Sequence, residues 1–384
     1  MKQENQLLKK VRVRNFKAIR DSGPLALRPL TVLVGSNGTG KSSLVEALEL
    51  VHNLVALDSV DAAMQLWRGF EHVRNKQQTV RRKADLRSSS PIEIQIQGRL
   101  PDGVYSARVS INERANANEL FLESEDVRYG NEHLIRTGDA TCRAEYGGEP
   151  NQWNVQPGRS LLSYSMLDDF IDGWQFLSLN GQTMGEPRPQ MLSRATIHLA
   201  KDGANIAEYL LRIKAADPTV LEGIIDTARY VLPYATDLQP SLTSELGRQV
   251  YLQMSERDFK VPGWLLSTGT LRVVALLAVL RHPSPPPLVV IEEIENGLDP
   301  RALNLIVDEI RGALEAGRTQ VILTTHSPYL LDLLPLPSLL LCSRVDGEAA
   351  FHRPSDEAEV RAWAETFSPG QLYTAGRLKG PGQP

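Results

Sequence analysis

The segment Gly35–Ser42, which spells GSNGTGKS, constrains the fold of this chain more strongly than any other feature. It matches the pattern G-x-x-x-x-G-K-[ST], in which glycines let the backbone turn tightly and aim its N–H groups at phosphate oxygens. The apolar run Leu30–Val34 before it predicts a buried strand, and residues 42–57 carry apolar side chains at helical spacing. This order of strand, turn and helix predicts a phosphate site at a helix N-terminus.

The polar side chains of this phosphate loop suit a phosphate ligand that carries a divalent cation. Lys41 would place a positive charge beside the β- and γ-phosphates, and the Ser42 hydroxyl would ligate Mg²⁺. A glycine-rich turn without a ligand is the alternative, and the flanking strand and helix argue against it. The predicted binding residues of the loop are Gly35, Asn37, Gly38, Gly40, Lys41, Ser42 and Ser43.

A second motif lies at residues 288–300, which read LVVIEEIENGLDP. The apolar run places Glu292 and Glu293 at the carboxyl end of a predicted buried strand, where ligands bind in open α/β sheets. Glu292 would hold Mg²⁺ through water, and Glu293 would orient or deprotonate an attacking water. A solvated acidic surface is the alternative. Glu295 receives no role and is expected at the surface.

Two further segments carry polar groups next to apolar elements. Residues 266–270 (LSTGT) precede an apolar helix predicted over 270–280, and their Ser and Gly would make a second anion site or an ordinary helix cap. Residues 321–328 (VILTTHSP) predict a buried strand that ends near His326. This histidine is either structural or within reach of a γ-phosphate.

The order GSNGTGKS, LSTGT, VVIEEIENGLDP and TTHSP resembles the ABC-type ATPase heads of the RecF, SMC and OLD families. The opening VRVRNFKAIRD is similar to that of RecF-like and SMC heads, and FSPGQLYTAGRLKG near the end fits single-chain bacterial ATPases of the RecF/OLD-like group. The resemblance covers residues 8–57 and 262–342 and leaves the middle of the chain unassigned.

The resemblance implies ATP and Mg²⁺ as cofactors and assigns roles to single residues. It makes Ser267 and Gly269 the signature loop, Glu292 the Walker B acid, Glu293 the catalytic glutamate, Asp299 the D-loop residue and His326 the switch histidine. Asn15 and Lys17 fall where such heads approach the nucleotide. The chain departs from the pattern in having Glu292 where Asp is usual and Thr268 where transporters have Gly. Gln175 is a candidate for the Q-loop glutamine.

The expected fold class is α/β: a P-loop NTPase with a mostly parallel sheet, as in an ABC-ATPase head, an antiparallel β subdomain and an inserted helical or irregular lobe. Residues 92–112 predict an antiparallel hairpin closed by a Pro-Asp-Gly turn. The expected domains are two halves of the ATPase head at 1–115 and 256–375, an accessory lobe at 116–255 and a loose tail at 376–384.

Composition limits where the chain works and what it binds. With 384 residues, a net charge of −4, two cysteines and no apolar run of membrane-spanning length, it is expected to be cytoplasmic and not to enter membranes. The net charge argues against general coating of nucleic acid. Residues 74–87 carry six basic side chains and one acidic, which favours either a solvated surface or a local contact with DNA.

The resemblance implies an ATP-hydrolysing head that forms a nucleotide-sandwiched homodimer, or a higher oligomer, and serves as a clamp or sensor in DNA repair or anti-phage defence. A separate nuclease or effector is the expected partner, because the sequence shows no nuclease motif. Two alternatives remain open: an ATPase subunit of a membrane transporter, and a slow ATP-dependent scaffold that regulates a partner protein.

Overall fold

The structure is a computed structural model that describes residues 7–75, 90–114, 119–190, 198–243 and 248–378. The strands are β1 (Leu7–Phe16), β2 (Ile19–Asp21), β3 (Leu25–Ala26), β4 (Leu30–Val34), β5 (Ile92–Leu100), β6 (Gly103–Glu113), β7 (Leu120–Tyr129), β8 (Glu132–Gly138), β9 (Thr141–Tyr146), β10 (Glu149–Asn154), β11 (Gln175–Leu177), β12 (Arg188–Pro189), β13 (Asp237–Leu242), β14 (Gln249–Glu256), β15 (Phe259–Pro262), β16 (Leu288–Ile291), β17 (Gln320–Thr325), β18 (Leu339–Val345) and β19 (Glu348–His352). The helices are α1 (Lys41–Ala56), α2 (Val60–Gln65), α3 (Phe70–Val73), α4 (Asp168–Asp172), α5 (Gly181–Met184), α6 (Ile206–Ala216), α7 (Pro218–Arg229), α8 (Thr268–Leu280), α9 (Pro300–Glu315), α10 (Pro328–Asp332), α11 (Ala358–Trp363) and α12 (Pro369–Thr374).

The chain divides into two compact units. Unit 1 takes its described residues from Met1–Trp174, Leu336–Phe367 and Leu372–Pro384, and unit 2 from Gln175–Pro335 and Ser368–Gln371. The phosphate loop therefore belongs to unit 1. The acidic strand end and the LSTGT and TTHSP segments belong to unit 2.

A nine-stranded antiparallel sheet makes up much of the described part of unit 1. Its order is β10-β9-β8-β7-β6-β5-β1-β2, with β3 paired to β1. The predicted hairpin over residues 92–112 is confirmed as β5 and β6, which meet at Leu100 and Gly103. In the expected accessory lobe, residues 120–154 form the four strands β7 to β10, where helical or irregular structure was expected.

Buried charged side chains explain why strands β7 and β8 are not predicted from the sequence. Glu125, Glu132 and Arg136 occupy buried positions, with 2%, 5% and 9% of their surfaces exposed. A strand with one buried face is normally recognised by alternation of apolar and polar residues, and these charged residues interrupt it.

Glu125 and Arg136 pair inside unit 1 and fasten the next segment of chain to the sheet. Arg136 Nε lies 2.7 Å from Glu125 Oε2, and its guanidinium also donates to the backbone carbonyls of Asp139 and Arg159. Glu125 accepts hydrogen bonds from the Ser160 hydroxyl and the Leu161 amide. The pKa of Glu125 is raised, because the effect of burial exceeds the opposite effects of the Arg136 charge and of these hydrogen bonds.

Parallel strands occur in both units, as expected for an α/β fold. In unit 1, β4 pairs in parallel with β18, and β19 adds to β18 in antiparallel orientation. In unit 2, β11, β16 and β17 form a parallel set, and β12, β14, β13 and β15 form a small antiparallel sheet. Across the described strands the pairings are mostly antiparallel, because the large sheet of unit 1 contributes most of them.

The helices of unit 2 begin at the capping residues that the sequence shows. Ser267 caps α8, whose residues from Thr270 to Leu280 are all buried, and Asp299 caps α9, which begins with Pro300. The elements predicted at residues 30–34, 42–57 and 270–280, and the buried strands predicted from residues 288 and 321, are confirmed as β4, α1, α8, β16 and β17. Within the described residues, no helix combines the length and apolar character that a membrane span requires.

Replacing Arg136 by Met should lower the free energy of unfolding by about 3–5 kcal/mol, because the change leaves the Glu125 carboxylate buried without its charge partner. Urea titration measures the loss. The matched control is Arg128→Met on β7, whose exposed guanidinium pairs with the surface carboxylate of Asp126; this substitution should cost at most about 0.5 kcal/mol. If the two substitutions lower the free energy of unfolding equally, the buried pair stabilises the protein no more than the exposed pair does.

Candidate functional site

The phosphate loop leaves β4 through backbone conformations that favour glycine. Gly38 and Gly40 have φ angles of 76° and 107°, in the left-handed region. At Gly35 a Cβ atom would lie 2.3 Å from the carbonyl oxygen of Cys342 on β18, and at Gly40 it would lie 2.6 Å from Cβ of Ala349 on β19. The glycines therefore let the loop pack directly against the neighbouring strands while its tip, at Ser36, Asn37 and Gly38, stays exposed.

Lys41 opens α1 with its ammonium folded into the loop. Its side chain is buried, and Nζ donates to the carbonyl oxygens of Gly35 at 2.6 Å and Ser36 at 3.0 Å. Gly40, the residue before α1, has no side chain that could cap the amides of the first turn. An ammonium and helix-terminal amides at one place suit an anionic phosphate group.

The two serines that follow Lys41 face different surroundings. Ser42 is exposed at the start of α1, whereas Ser43 is buried and its hydroxyl accepts a hydrogen bond of 3.4 Å from the Ala18 amide. Ser43 thus contacts the turn between β1 and β2. In that turn the Lys17 ammonium pairs with Glu46 of α1, and near the end of β1 the Asn15 side chain donates to the Pro91 carbonyl.

The residues present fit Mg²⁺ that arrives with phosphates better than a metal held by protein alone. Within the described ranges, no group of three or more His, Cys, Asp or Glu side chains could hold a metal ion. Mg²⁺ commonly keeps several waters and is bound through one or two carboxylates plus substrate phosphates. In unit 1 the exposed Ser42 hydroxyl is a donor of this type, and in unit 2 the Glu292 carboxylate is another.

Glu292 and Glu293 follow β16 at its carboxyl end, as the sequence predicts. The Glu292 amide donates to the carbonyl of Leu177, the last residue of β11, at 2.8 Å. Its carboxylate, with a side chain 17% exposed, lies 3.9 Å from the ammonium of Lys201. The edge formed by the ends of β11 and β16 therefore carries a half-buried carboxylate next to a cation.

Glu293 has an uncommon backbone conformation that three neighbours support. Its φ is 47°, in the left-handed region that non-glycine residues adopt at a cost. The Glu293 amide donates to the Thr324 hydroxyl at 2.9 Å, and its carbonyl accepts from the Arg272 guanidinium at 2.9 Å. Its carboxylate accepts a hydrogen bond from the Asn296 side-chain amide. A strained acidic residue held at amide, carbonyl and side chain is typical of functional sites.

Glu295 is not the surface residue that the sequence suggested. Its side chain is 11% exposed, and Oε1 accepts hydrogen bonds from the Thr325 hydroxyl at 2.7 Å and the His326 amide at 3.1 Å. The chain after β16 folds back over the end of β17, which buries this carboxylate. The imidazole of His326 is half exposed, with Nδ1 3.6 Å from Glu295 Oε1.

The LSTGT segment is packed against the loop that follows Glu293. The Ser267 hydroxyl accepts from the Thr270 amide at 3.1 Å, so Ser267 is a helix cap, and it is exposed to solvent. A Cβ atom at Gly269 would lie 2.4 Å from the carbonyl oxygen of Gly297. Gly269 is therefore required for the close approach of α8 to the 293–299 loop, whatever its role toward a ligand.

Two of the candidate residues, Asp299 and Gln175, make hydrogen bonds that stabilise the fold. Asp299 Oδ1 accepts from the amides of Arg301 and Ala302 and thereby caps α9. Gln175 is buried at the first position of β11, and its side chain donates to the carbonyl of Leu199. The assignment of Gln175 as the Q-loop glutamine stays a prediction.

Sequence reasoning missed four side chains that support the site. These are Arg272, which is buried in α8, Thr324, Lys201 and, beside the phosphate loop, Arg344, whose Nε donates to the Gly38 carbonyl at 2.8 Å. An arginine within an otherwise apolar helix was the one visible signal among them. The basic stretch at residues 74–87 lies outside the described residues except for Arg74 and Asn75.

A family model described as "AAA domain, putative AbiEii toxin, Type IV TA system" matches residues 30–332. The chain belongs to this AAA domain family. The match begins at β4, just before the phosphate loop, and extends to the end of α10. It therefore includes all the candidate site residues of both units other than Asn15 and Lys17.

A relative and two solved structures add to the family assignment. The chain is 24% identical over 356 residues to the OLD nuclease of Thermus scotoductus (strain ATCC 700910 / SA-01), covering 87% of this chain but only 62% of that protein. It resembles an Smc head bound to the C-terminal winged-helix domain of ScpA, with a TM-score of 0.53 at 13% identity over 90% of this chain and 97% of the other. A Pyrococcus furiosus structure, an Smc head with an extended coiled coil bound to the C-terminal domain of ScpA, gives 0.51 at 14% identity over 94% and 99%.

These likenesses confirm the predicted fold class, an α/β P-loop NTPase related to ABC-type heads. At such low identity the Smc heads bear on the fold alone. The resemblance to OLD and SMC proteins that the motif order predicts is also confirmed.

Replacing Gly269 by Ala should destabilise unit 2 by about 1–3 kcal/mol, because the added methyl group overlaps the Gly297 carbonyl and forces α8 or the 293–299 loop to move. Urea titration of the purified variants measures the change. Gly312→Ala in α9 is the matched control: open space surrounds that position, so helix propensity should stabilise it by about 0.5–1 kcal/mol. A neutral Gly269→Ala would contradict the close packing of α8 on this loop.

Proposed function

We propose that this chain is an ATP-binding and ATP-hydrolysing head of the OLD/SMC-like group, which closes into nucleotide-sandwiched dimers and works as a clamp or sensor in DNA repair or anti-phage defence. The observation that carries the proposal is the strained Glu293, which follows a buried parallel strand and is held at three points. Membership of the AAA domain family and the phosphate loop support ATP as the ligand.

The roles proposed for the site residues follow from their chemistry. Lys41 and the loop amides would bind the β- and γ-phosphates. Ser42 would ligate Mg²⁺ and Glu292 would hold Mg²⁺ through water, and the charge of the ion would neutralise the phosphate oxygens. Glu293 would accept a proton from the attacking water at its carboxylate. His326 would orient the γ-phosphate from the turn that Glu295 supports.

The proposed dimer follows from the signature loop. Ser267 and Thr268 are exposed at the N-terminus of α8, and helix N-termini suit anions. In ABC-type heads this loop of one subunit caps the nucleotide of another, which gives two composite sites in a dimer. ATP binding would close the dimer and hydrolysis would open it, so the nucleotide would shift a two-state equilibrium.

A role with nucleic acid and a second protein is supported by the relatives. The chain spans 62% of the length of the OLD nuclease that it matches. We propose that ATP-driven closure of the head controls a nuclease or effector partner. Contact between DNA and the basic stretch at residues 74–87 stays a prediction. Light scattering after the addition of duplex DNA would test it, because binding would raise the measured molar mass.

Replacing Glu293 by Gln should lower the rate of ATP hydrolysis about 100-fold or more, because the amide cannot accept the water proton. ATP should still bind, and light scattering with ATP and Mg²⁺ should show a stable dimer. Lys41→Ala is the control and should lose nucleotide binding together with the mass increase. Normal hydrolysis by the Glu293→Gln protein would eliminate Glu293 as the base.

Replacing Ser267 by Arg should prevent ATP-dependent dimerisation while leaving ATP binding to the monomer intact, because the bulky cation would occupy the anion site of the signature loop. Sedimentation velocity with ATP and Mg²⁺ measures the dimer. The control is Ser59→Arg at the N-cap of α2 in unit 1, which makes the same substitution as Ser267→Arg and also removes a helix cap. Dimerisation that persists in the Ser267 variant, or fails equally in the Ser59 variant, would count against the sandwich.

A further inference from the structure

Arg272 is a charged side chain inside an otherwise apolar helix. It lies in the first turns of α8, five positions after Ser267, and is 6% exposed. Every residue from Thr270 to Leu280 is buried, and the others from Leu271 onward are Leu, Val or Ala. Burying a guanidinium is costly unless it is hydrogen-bonded, so a specific set of partners is expected.

The partners of Arg272 are two backbone carbonyls that lie just after the carboxyl ends of β11 and β16 in unit 2. One terminal nitrogen donates to the Leu179 carbonyl at 2.6 Å, just beyond the end of β11, and the other donates to the Glu293 carbonyl at 2.9 Å. The Nε atom has no hydrogen-bond partner among the described residues. The carboxylates of Glu295 and Glu293 provide the nearby negative charge, while burial lowers the pKa of Arg272.

The contact at the Glu293 carbonyl acts on a backbone that would not hold its conformation unaided. A left-handed φ at a glutamate costs free energy that its surroundings must offset. The Thr324 hydroxyl fixes the amide on one side of the residue, and Arg272 fixes the carbonyl on the other. These two contacts set the direction in which the Glu293 side chain leaves the backbone.

We infer that Arg272 is a positioning residue for Glu293, and that it links the helix of the signature loop to the catalytic carboxylate of the same subunit. The inference rests on the proposed function for the role of Glu293, but the link itself is a feature of unit 2. Ser267 and Arg272 lie on one rigid helix, and Gly269 brings that helix against Gly297. A displacement of α8 at the signature loop therefore moves the Glu293 backbone.

The test measures Arg272→Met for ATP turnover, nucleotide affinity and backbone hydrogen exchange. Loss of the guanidinium should lower kcat on the order of 10- to 100-fold, as is usual when a group supporting a functional ligand is removed. KM and the affinity for ATP should be unchanged. The amides of residues 293–297 should exchange faster, which requires no hydrolysis to observe. Arg272→Lys, whose ammonium can reach one carbonyl, should restore part of kcat.

Three further variants separate positioning from a general loss of structure. Arg281→Met, at the end of the same helix, removes a guanidinium that pairs with Glu309 at 2.7 Å and should keep the wild-type kcat. Thr324→Val removes the other backbone contact and should reproduce the loss. In a Glu293→Gln background, Arg272→Met should lower the residual rate no further, because both changes act on one group.

The outcomes distinguish this inference from the proposed function. Absence of ATP hydrolysis by the wild type, or normal hydrolysis by Glu293→Gln, would overturn the proposed function, whereas faster exchange at residues 293–297 would still support the Arg272 link. Unchanged exchange in folded Arg272→Met or Arg272→Lys protein would overturn the link. If Arg272→Met lowers the rate in the Glu293→Gln background by the same factor as in the wild-type protein, Arg272 does not act through Glu293.

Discussion

Both motif-bearing parts of this chain meet the same physical constraint: a buried strand ends, and its backbone must turn sharply while each N–H and C=O group still finds a partner. At the end of β4 the turn is made by glycines, and the Lys41 ammonium satisfies carbonyls of the loop. At the end of β16 the turn is made by a glutamate, and side chains from two other elements satisfy its amide and carbonyl. The chemistry of each site depends on these solutions.

The two solutions have different consequences for motion. Glycines reach left-handed conformations at little steric cost, so the sharp turns of the phosphate loop carry little backbone strain. Glu293 depends on Arg272 in α8 and Thr324 in β17, which makes its geometry sensitive to both elements. A carboxylate that must act only in one state of an assembly gains from such dependence, because movement of a supporting helix can align or misalign it.

Much of the fold follows from local patterns, and the exceptions have physical reasons. The strands β4, β16 and β17 are short runs of mostly apolar residues, and α8 and α9 have clear capping residues. Strands β7 and β8 escape prediction because Glu125 and Arg136 occupy positions where an apolar side chain is expected. Their burial is possible only because they pair with each other across the sheet, which no local pattern reveals.

For the candidate site, the sequence by itself determined which chemical groups are present and on which ends of strands and helices they lie. Spacing is local, so GSNGTGKS, EE after an apolar run, and Ser before an apolar helix are legible without a structure. Only the tertiary structure decided that Glu295 is buried beneath His326, that Gln175 belongs to the core, and that Arg272 and Thr324 hold Glu293. These are contacts between residues far apart in the chain, and packing, not spacing, brings such residues together.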